Sequence, residues 1–284
     1  MQWLEKYKRF NKDNDFGIDR KFIEEYGRTV SHLLVAAFRP VIHDADRIPR
    51  NGGAIIYSNH SGAGLWDVLS IVHAVNDHFR RLGRPDRILR MVSHPNWFNW
   101  PVMDQWYAKM GYFPASIDNA NFLVRKGDLV WWLPEGNVGA WKTCDRKYQL
   151  ERFSTGIAVS ASQTGCPLIP AAVIGGEEHH NIIWSSTRFS KQGFPLIIAN
   201  PIPFPFQTHI FVGEPLEIPA HLQGNDLSRE QLKELTELAR TRLQELIDTS
   251  LPKRKFLFPR AARLIDATYK KLVIRPRSGK KNAA

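Results

Sequence analysis

Cysteine is nearly missing from this chain: 284 residues hold two, Cys144 and Cys166. That is too few for a disulfide framework, the pair lacks metal-site spacing, and a reducing cytosol fits such usage. No uninterrupted apolar run is long enough to span a bilayer. Phe153–Gly176 and Gln192–Gly213 carry no Asp, Glu, Lys or Arg, but Gly, Pro and polar residues break both, which argues against a spanning helix. The N-terminus, MQWLEKYKRFNKDNDFG, is charged throughout and has no apolar core before a small-residue cleavage site, so no signal peptide is expected. Internal repeats and low-complexity blocks are also lacking. Excess charge is missing from most of the chain as well. Residues 1–50 carry 10 basic and 8 acidic groups, residues 51–250 carry 18 and 19, and residues 251–284 carry 11 and 1. The overall +11 is therefore a property of the last segment. A nucleic-acid reader would interleave aromatics and cations on a folded surface. This tail has only Phe256, Phe258 and Tyr269 among its cations, which reads as a polybasic membrane tether, with no nucleic-acid partner expected.

What is present is core. Hydrophobic residues make up 43% of the chain and aromatics 11%, with nine Trp, a composition that excludes disorder as the default state. Residues 18–42 pattern as one or two amphipathic helices, suited equally to packing on a core or lying in a membrane interface. Strand-like runs occur at 54–59, 88–94, 129–134, 167–174 and 208–218. A helix is expected where Leu65, Val68, Leu69, Val72, Val75 and Phe79 recur at helical spacing. Another is expected over 226–247, capped by Asp226 or Ser228, with Leu232, Leu235, Leu238 and Leu246 on its apolar side. Strands alternating with helices predict an α/β fold around a buried sheet.

Two segments carry candidate chemistry. In Asn59-His60-Ser61-Gly62-Ala63-Gly64-Leu65-Trp66-Asp67 a strand ends on a Gly-rich loop and a carboxylate falls in the first turn of the following helix. An Asp holding Nδ1 fixes the tautomer of a His and stabilises its imidazolium, leaving Nε2 to take a proton from a substrate hydroxyl. No serine has the G-x-S-x-G setting of a nucleophile elbow, so direct attack by a substrate alcohol is the simplest route. Alone, such a pair is better explained as a structural contact in a Gly-rich turn. The second segment, Leu133-Pro134-Glu135-Gly136, delivers a carboxylate to the end of a strand, where α/β sheets bind ligands. By itself it is a turn signal.

Together with two further blocks these segments resemble the glycerolipid O-acyltransferase superfamily typified by 1-acylglycerol-3-phosphate acyltransferase, closest to its monoacylglycerol/diacylglycerol acyltransferase-like branch. The blocks are Asn59-His60-Ser61-Gly62 with Asp67; Gly111-Tyr112-Phe113-Pro114-Ala115-Ser116 leading to Asp118-Asn119-Ala120; Leu133-Pro134-Glu135-Gly136; and Pro167-Leu168-Ile169-Pro170-Ala171-Ala172. Tyr148-Gln149-Leu150-Glu151-Arg152-Phe153 with Gly156 also fits the branch pattern. The resemblance runs from Ile48 to Ile218. It implies a glycerol-3-phosphate acyltransferase-like sheet covered by helices, with amphipathic helices over 1–47, the acyltransferase domain over 48–250 and a basic tail over 251–284. It further implies His60 as general base held by Asp67, with Asn59, Pro134, Glu135, Gly136 and Arg152 at the substrate. Backbone N–H groups of the glycine loop are candidate oxyanion donors. No metal and no cofactor are expected beyond the thioester co-substrate, acyl-CoA or acyl carrier protein. The expected setting is the cytoplasmic face of a membrane, held peripherally on anionic lipid.

Two departures bear on the acceptor. Phosphate-binding members carry Arg in the second and third blocks, where this chain has Ile117 and Asn137-Val138. Either Arg152, Lys142 or Arg146 replaces that cation, or the acceptor carries no phosphate near its reacting hydroxyl. The gap from His60 to Asp67 is also longer than in the phosphatidate-forming enzymes. Elsewhere, Glu177-Glu178-His179-His180 reads as a surface loop, and Arg80, Arg81, Arg84, Arg87 and Arg90 as a solvated helix end that could also meet a phosphate. Trp97 and Trp100 are candidates for a lipid interface.

Overall fold

A computed structural model describes residues 8–60, 66–186, 195–254 and 259–274. Its strands are β1 Val41–His43, β2 Ala54–Ser58, β3 Leu89–Ser93, β4 Phe113–Pro114, β5 Leu129–Trp132, β6 Leu168–Ile174, β7 Trp184–Ser186, β8 Leu196–Ile198 and β9 His209–Val212. The helices are α1 Arg20–Phe22, α2 Arg28–Val35, α3 Trp66–Arg81, α4 Met103–Lys109, α5 Ile117–Lys126, α6 Gly136–Ala140, α7 Gly156–Thr164, α8 Gly176–His179, α9 Arg229–Ser250 and α10 Pro259–Leu272.

Seven strands form one sheet in the order β1-β9-β6-β2-β5-β3-β4, while β7 and β8 make a separate antiparallel ribbon. Within the main sheet only the β6–β9 pairing is antiparallel. Every residue of β2 is buried, and the two-residue period of a strand sends its side chains to opposite faces. Ala54 and Ile56 join the layer of Val68, Val72, Val75 and Phe79 from α3, whereas Ile55 and Tyr57 join the layer of Leu243 and Ile247 from α9. Apolar cover on both faces is what a parallel sheet requires.

Several boundaries differ from the sequence expectation. The strand expected over 208–218 stops at Val212, where Gly213 sits against Pro170 and a Cβ would come 2.9 Å from that ring. The sheet begins at β1, so residues 41–43 of the segment expected to be N-terminal helices form a strand paired with β9. Ser228 caps α9, with Gln231 completing a capping box. The deeply buried stripe of α9 is Leu235, Ala239, Leu243 and Ile247, a strict four-residue repeat; Leu232 and Leu238 pack only at the rim beside Leu222.

The C-terminal segment is docked through residue 274. Lys147 pairs with Asp266 of α10 at 2.7 Å, and the Ile274 N–H donates to the Ile183 carbonyl. Residues 251–254 and 259–274 of the basic tail are thus packed on the acyltransferase-like body. Among the described residues no helix is long and apolar enough to cross a membrane, and no group of three or more His, Cys, Asp or Glu could hold a metal ion.

Candidate active site

The carboxyl ends of β2, β5, β3 and β6 meet at one edge of the sheet. Asn59 fixes the end of β2 by donating to the Val173 carbonyl at 2.9 Å and accepting from the Val173 N–H at 2.8 Å. Its carboxamide, expected at the substrate, thus locks β2 to β6 and aims the next residue. That residue is His60. Its Nδ1 lies 2.7 Å from Oδ2 of Asp67, which is fully buried in the first turn of α3, where the helix dipole favours a carboxylate. Burial works against the imidazolium, yet the Asp67 charge and hydrogen bond outweigh it, with Glu135 adding to the effect. The His60 pKa accordingly lies above the usual 6.5. The glycine loop, residues 61–65, falls outside the described residues, and the oxyanion expectation with it.

Glu135 joins the two motifs. Its Oε1 accepts the His60 backbone N–H at 3.1 Å, and its Oε2 accepts the Glu151 N–H at 2.7 Å and faces Lys142 Nζ at 3.3 Å. Gly139 makes the room: a Cβ there would lie 2.5 Å from that of Glu135. Pro134 is buried, its carbonyl accepting the Ser154 N–H, and Gly136 takes the left-handed turn that ends the block, with φ +56°.

Behind Glu135 the sequence reading missed a buried charge network. Lys142, offered there as a replacement phosphate ligand, is clamped between Glu135 and Glu177, 3.3 Å from each, and donates to the Gln149 carbonyl at 3.1 Å. Burial opposes its charge, but the two carboxylates hold its pKa above the usual lysine value; burial likewise pushes the Glu177 carboxyl up. Glu177 also accepts the Tyr148 N–H, and the Tyr148 hydroxyl donates to Glu178, which pairs with Arg254. These contacts hold Tyr148 at φ +61°, a conformation uncommon outside glycine. Glu177, Glu178 and His179 are therefore buried, and the surface-loop expectation is wrong. The sequence hint was the Tyr148–Phe153 run, whose backbone the network holds.

The other cations stand apart. Arg146 pairs with Glu151 at 2.8 Å, and Arg152 is exposed and does not line the cavity at His60. Arg90, expected at a solvated helix end, is 1% exposed between Asp15 and Asp128, and Arg87 is buried on backbone carbonyls.

A cavity of about 310 Å³ opens on His60. Val68, Met91, Trp97, Tyr107, Tyr112, Trp132, Leu133 and Ala140 give it an apolar and aromatic wall, and Ser93, His94, Asn137 and Ser154 supply neutral polar groups. None of the described residues lining it is Asp, Glu, Lys or Arg. Of the Trp pair expected at an interface, Trp97 lines this cavity and Trp100 is 51% exposed beside it, the rings 5.7 Å apart.

Residues 39–174 match the family model described as Acyltransferase. Uncharacterised proteins of Mycobacterium bovis and Mycobacterium tuberculosis are each 29% identical over 259 residues, which is 86% of this chain and 71% of theirs. One from Mycobacterium leprae is 26% identical over 258 residues, 86% of this chain and 69% of its own. Among solved structures, the 1-acyl-sn-glycerophosphate (LPA) acyltransferase of Thermotoga maritima shares the fold, with a TM-score of 0.50 over 84% of this chain and 89% of that one at 15% identity.

Proposed function

We propose that this chain is an acyltransferase of the glycerolipid acyltransferase superfamily and that it moves a fatty acyl group from a thioester, acyl-CoA or acyl carrier protein, to the hydroxyl of an uncharged glycerolipid such as a mono- or diacylglycerol. The observation that carries the acceptor assignment is the cavity at His60, lined among the described residues by apolar, aromatic and neutral polar side chains around the base. Burying a phosphate there would leave its charge uncompensated at a cost of several kcal/mol. Lys142 and Arg146 are committed to carboxylates. A lysophospholipid acceptor finds less support for that reason.

In the proposed reaction Nε2 of His60 takes the proton of the acceptor hydroxyl as its oxygen attacks the thioester carbonyl. The tetrahedral state collapses with cleavage of the C–S bond, the thiolate takes the proton from the imidazolium, and ester and free thiol leave. Asp67 keeps Nδ1 protonated and stabilises the imidazolium. Glu135 positions the base through its backbone N–H, and Lys142 with Glu177 holds Glu135 in place. No acyl-enzyme and no cofactor take part. Quenched-flow measurement of thiol release tests the route: release should depend on added acceptor, and a stoichiometric burst without acceptor would instead indicate an acylated protein side chain.

The same reading places the protein peripherally at the cytoplasmic face of a membrane. Supporting it are the exposed apolar residues Tyr26, Val30, Leu33 and Leu34 along the N-terminal helices, the basic composition of residues 251–284, and two unpaired, buried cysteines.

A further inference from the structure

A second cavity lies outside the candidate active site. It has a volume of about 650 Å³ and lies between α2, the turn into β1, and the C-terminal half of α3. Arg28, His32 and Arg39 line one side, and His73, His78 and Arg81 the other. Asp77 is the one acidic lining residue, and it is already paired with Arg81 at 2.5 Å. The His32 and His73 rings approach to 5.4 Å. A concave surface with this excess of cations attracts an anion and is shaped to hold one.

The helix that supplies Arg28 and His32 says where such an anion would come from. Ile23, Gly27, Ser31 and Val35 recur every four residues and are buried on the protein, Gly27 so closely that a Cβ would lie 2.3 Å from Met110 Sδ. Tyr26, Val30, Leu33 and Leu34 face solvent instead, Leu33 at 69% exposure. Exposed apolar residues at helical spacing beside a basic flank are the pattern of a helix lying in a lipid interface, with the apolar side at the acyl boundary and the flank at headgroup depth.

We propose that the cleft between α2 and α3 is a phosphate-binding site that takes the headgroup phosphate of an anionic lipid while α2 lies in the membrane surface, at a site separate from the catalytic cavity. Arg28 and Arg39 make the charge-assisted contacts, and Arg81 closes the far side.

The inference rests on the reading of the protein as peripheral to a membrane. It carries a proton linkage. Burial holds the His73 pKa below 6.5, with Arg28, Arg81 and His32 adding to that and Asp77 opposing it; burial, Arg50 and Arg81 do the same at His78, where Asp46 opposes. A bound phosphate reverses the local field, so imidazolium forms on binding and affinity rises as pH falls from about 8 to 6.

Vesicles of phosphatidylglycerol test this well, because a phosphodiester keeps a constant charge over that range. Measured against phosphatidylcholine vesicles, the full chain should bind phosphatidylglycerol in preference and more tightly at pH 6 than at pH 8. Arg28→Gln with Arg39→Gln should weaken that binding about tenfold and flatten its pH dependence, while turnover on detergent-dispersed substrate stays unchanged. Leu33→Asp should remove vesicle binding with the cleft intact. If the native chain binds no vesicle, the membrane reading falls and the site with it. If it binds and the double variant binds equally well, the membrane reading stands and the cleft assignment is overturned. A rise in the thioester KM of the double variant in detergent, with vesicle binding unaltered, would give the cleft to the soluble donor's phosphates and also overturn the proposal.

Discussion

The two ends of α3 face opposite kinds of cavity. At its N-terminus Asp67 orients His60 over a pocket with no Lys, Arg, Asp or Glu among its described lining residues, whereas its C-terminal half borders a cleft where Arg28, Arg39 and Arg81 outnumber one carboxylate, Asp77. One helix thus separates a place suited to an uncharged ligand from a place suited to an anion. The difference comes from how charge is spent. Around His60 every described charge close to the site already has a partner: Asp67 on the imidazole, Glu135 on Lys142, Lys142 also on Glu177. Around the cleft three arginines face one carboxylate, which is paired with Arg81. A phosphate ligand gains from the second environment and loses in the first.

The comparison can be broken in several places. The largest effect is expected from His60→Ala, which should lower kcat by about 10²–10⁴-fold, the range for a general acid–base group, with an unchanged circular dichroism spectrum and melting midpoint; near-native turnover would remove His60 from the chemistry. Lys142→Met comes next. It leaves Glu135 and Glu177 buried without their cation, and breaking such a pair costs about 3–5 kcal/mol, readable as a fall in the denaturation midpoint. Lys142→Arg should recover part of it. A midpoint within error of the native value would mean that the network contributes little.

A smaller effect concerns pH. The base must be neutral to accept a proton, and the His60 pKa is raised by Asp67, so kcat/KM should climb through a midpoint above 6.5 and level off at higher pH. Asp67→Asn should move that midpoint down and lower the plateau. A profile flat from pH 5 to 8 would contradict the dyad. The mildest change is removal of residues 275–284, which should weaken anionic vesicle binding in a salt-sensitive way and leave stability intact. Cutting at residue 252 should instead destabilise the fold, because Arg254 pairs with Glu178 and Lys147 with Asp266. Equal stability of the two truncations would mean that residues 252–274 add nothing to the fold.

Much of the candidate active site was legible in the sequence because its determinants are local. Strand β2, the His60–Asp67 spacing and Pro134-Glu135-Gly136 each lie within one short stretch, and the expected pairing of His60 with Asp67 is present at 2.7 Å. The charge network was not legible because its members come from four segments. Lys142, Tyr148, Glu177 and Arg254 meet only through tertiary packing, so the acidic and basic residues that look solvated in sequence are buried. Arg90 was misread for the same reason, its partners being 75 and 38 residues away. The cleft has a similar origin: Arg28 and Arg81 carry no local pattern, and the packing of α2 on α3 brings them to one concavity.

The central claim, an acyltransferase whose pocket takes an uncharged acceptor, is tested most directly by one competition measurement. A monoacylglycerol and the lysophosphatidate bearing the same acyl chain are offered together in detergent with one acyl thioester, and the products are quantified by mass spectrometry. Diacylglycerol should dominate, with a kcat/KM ratio of at least about 100 in its favour, as expected when roughly 3 kcal/mol of uncompensated charge is kept out of the pocket. Phosphatidate formed at an equal or greater rate would contradict the account.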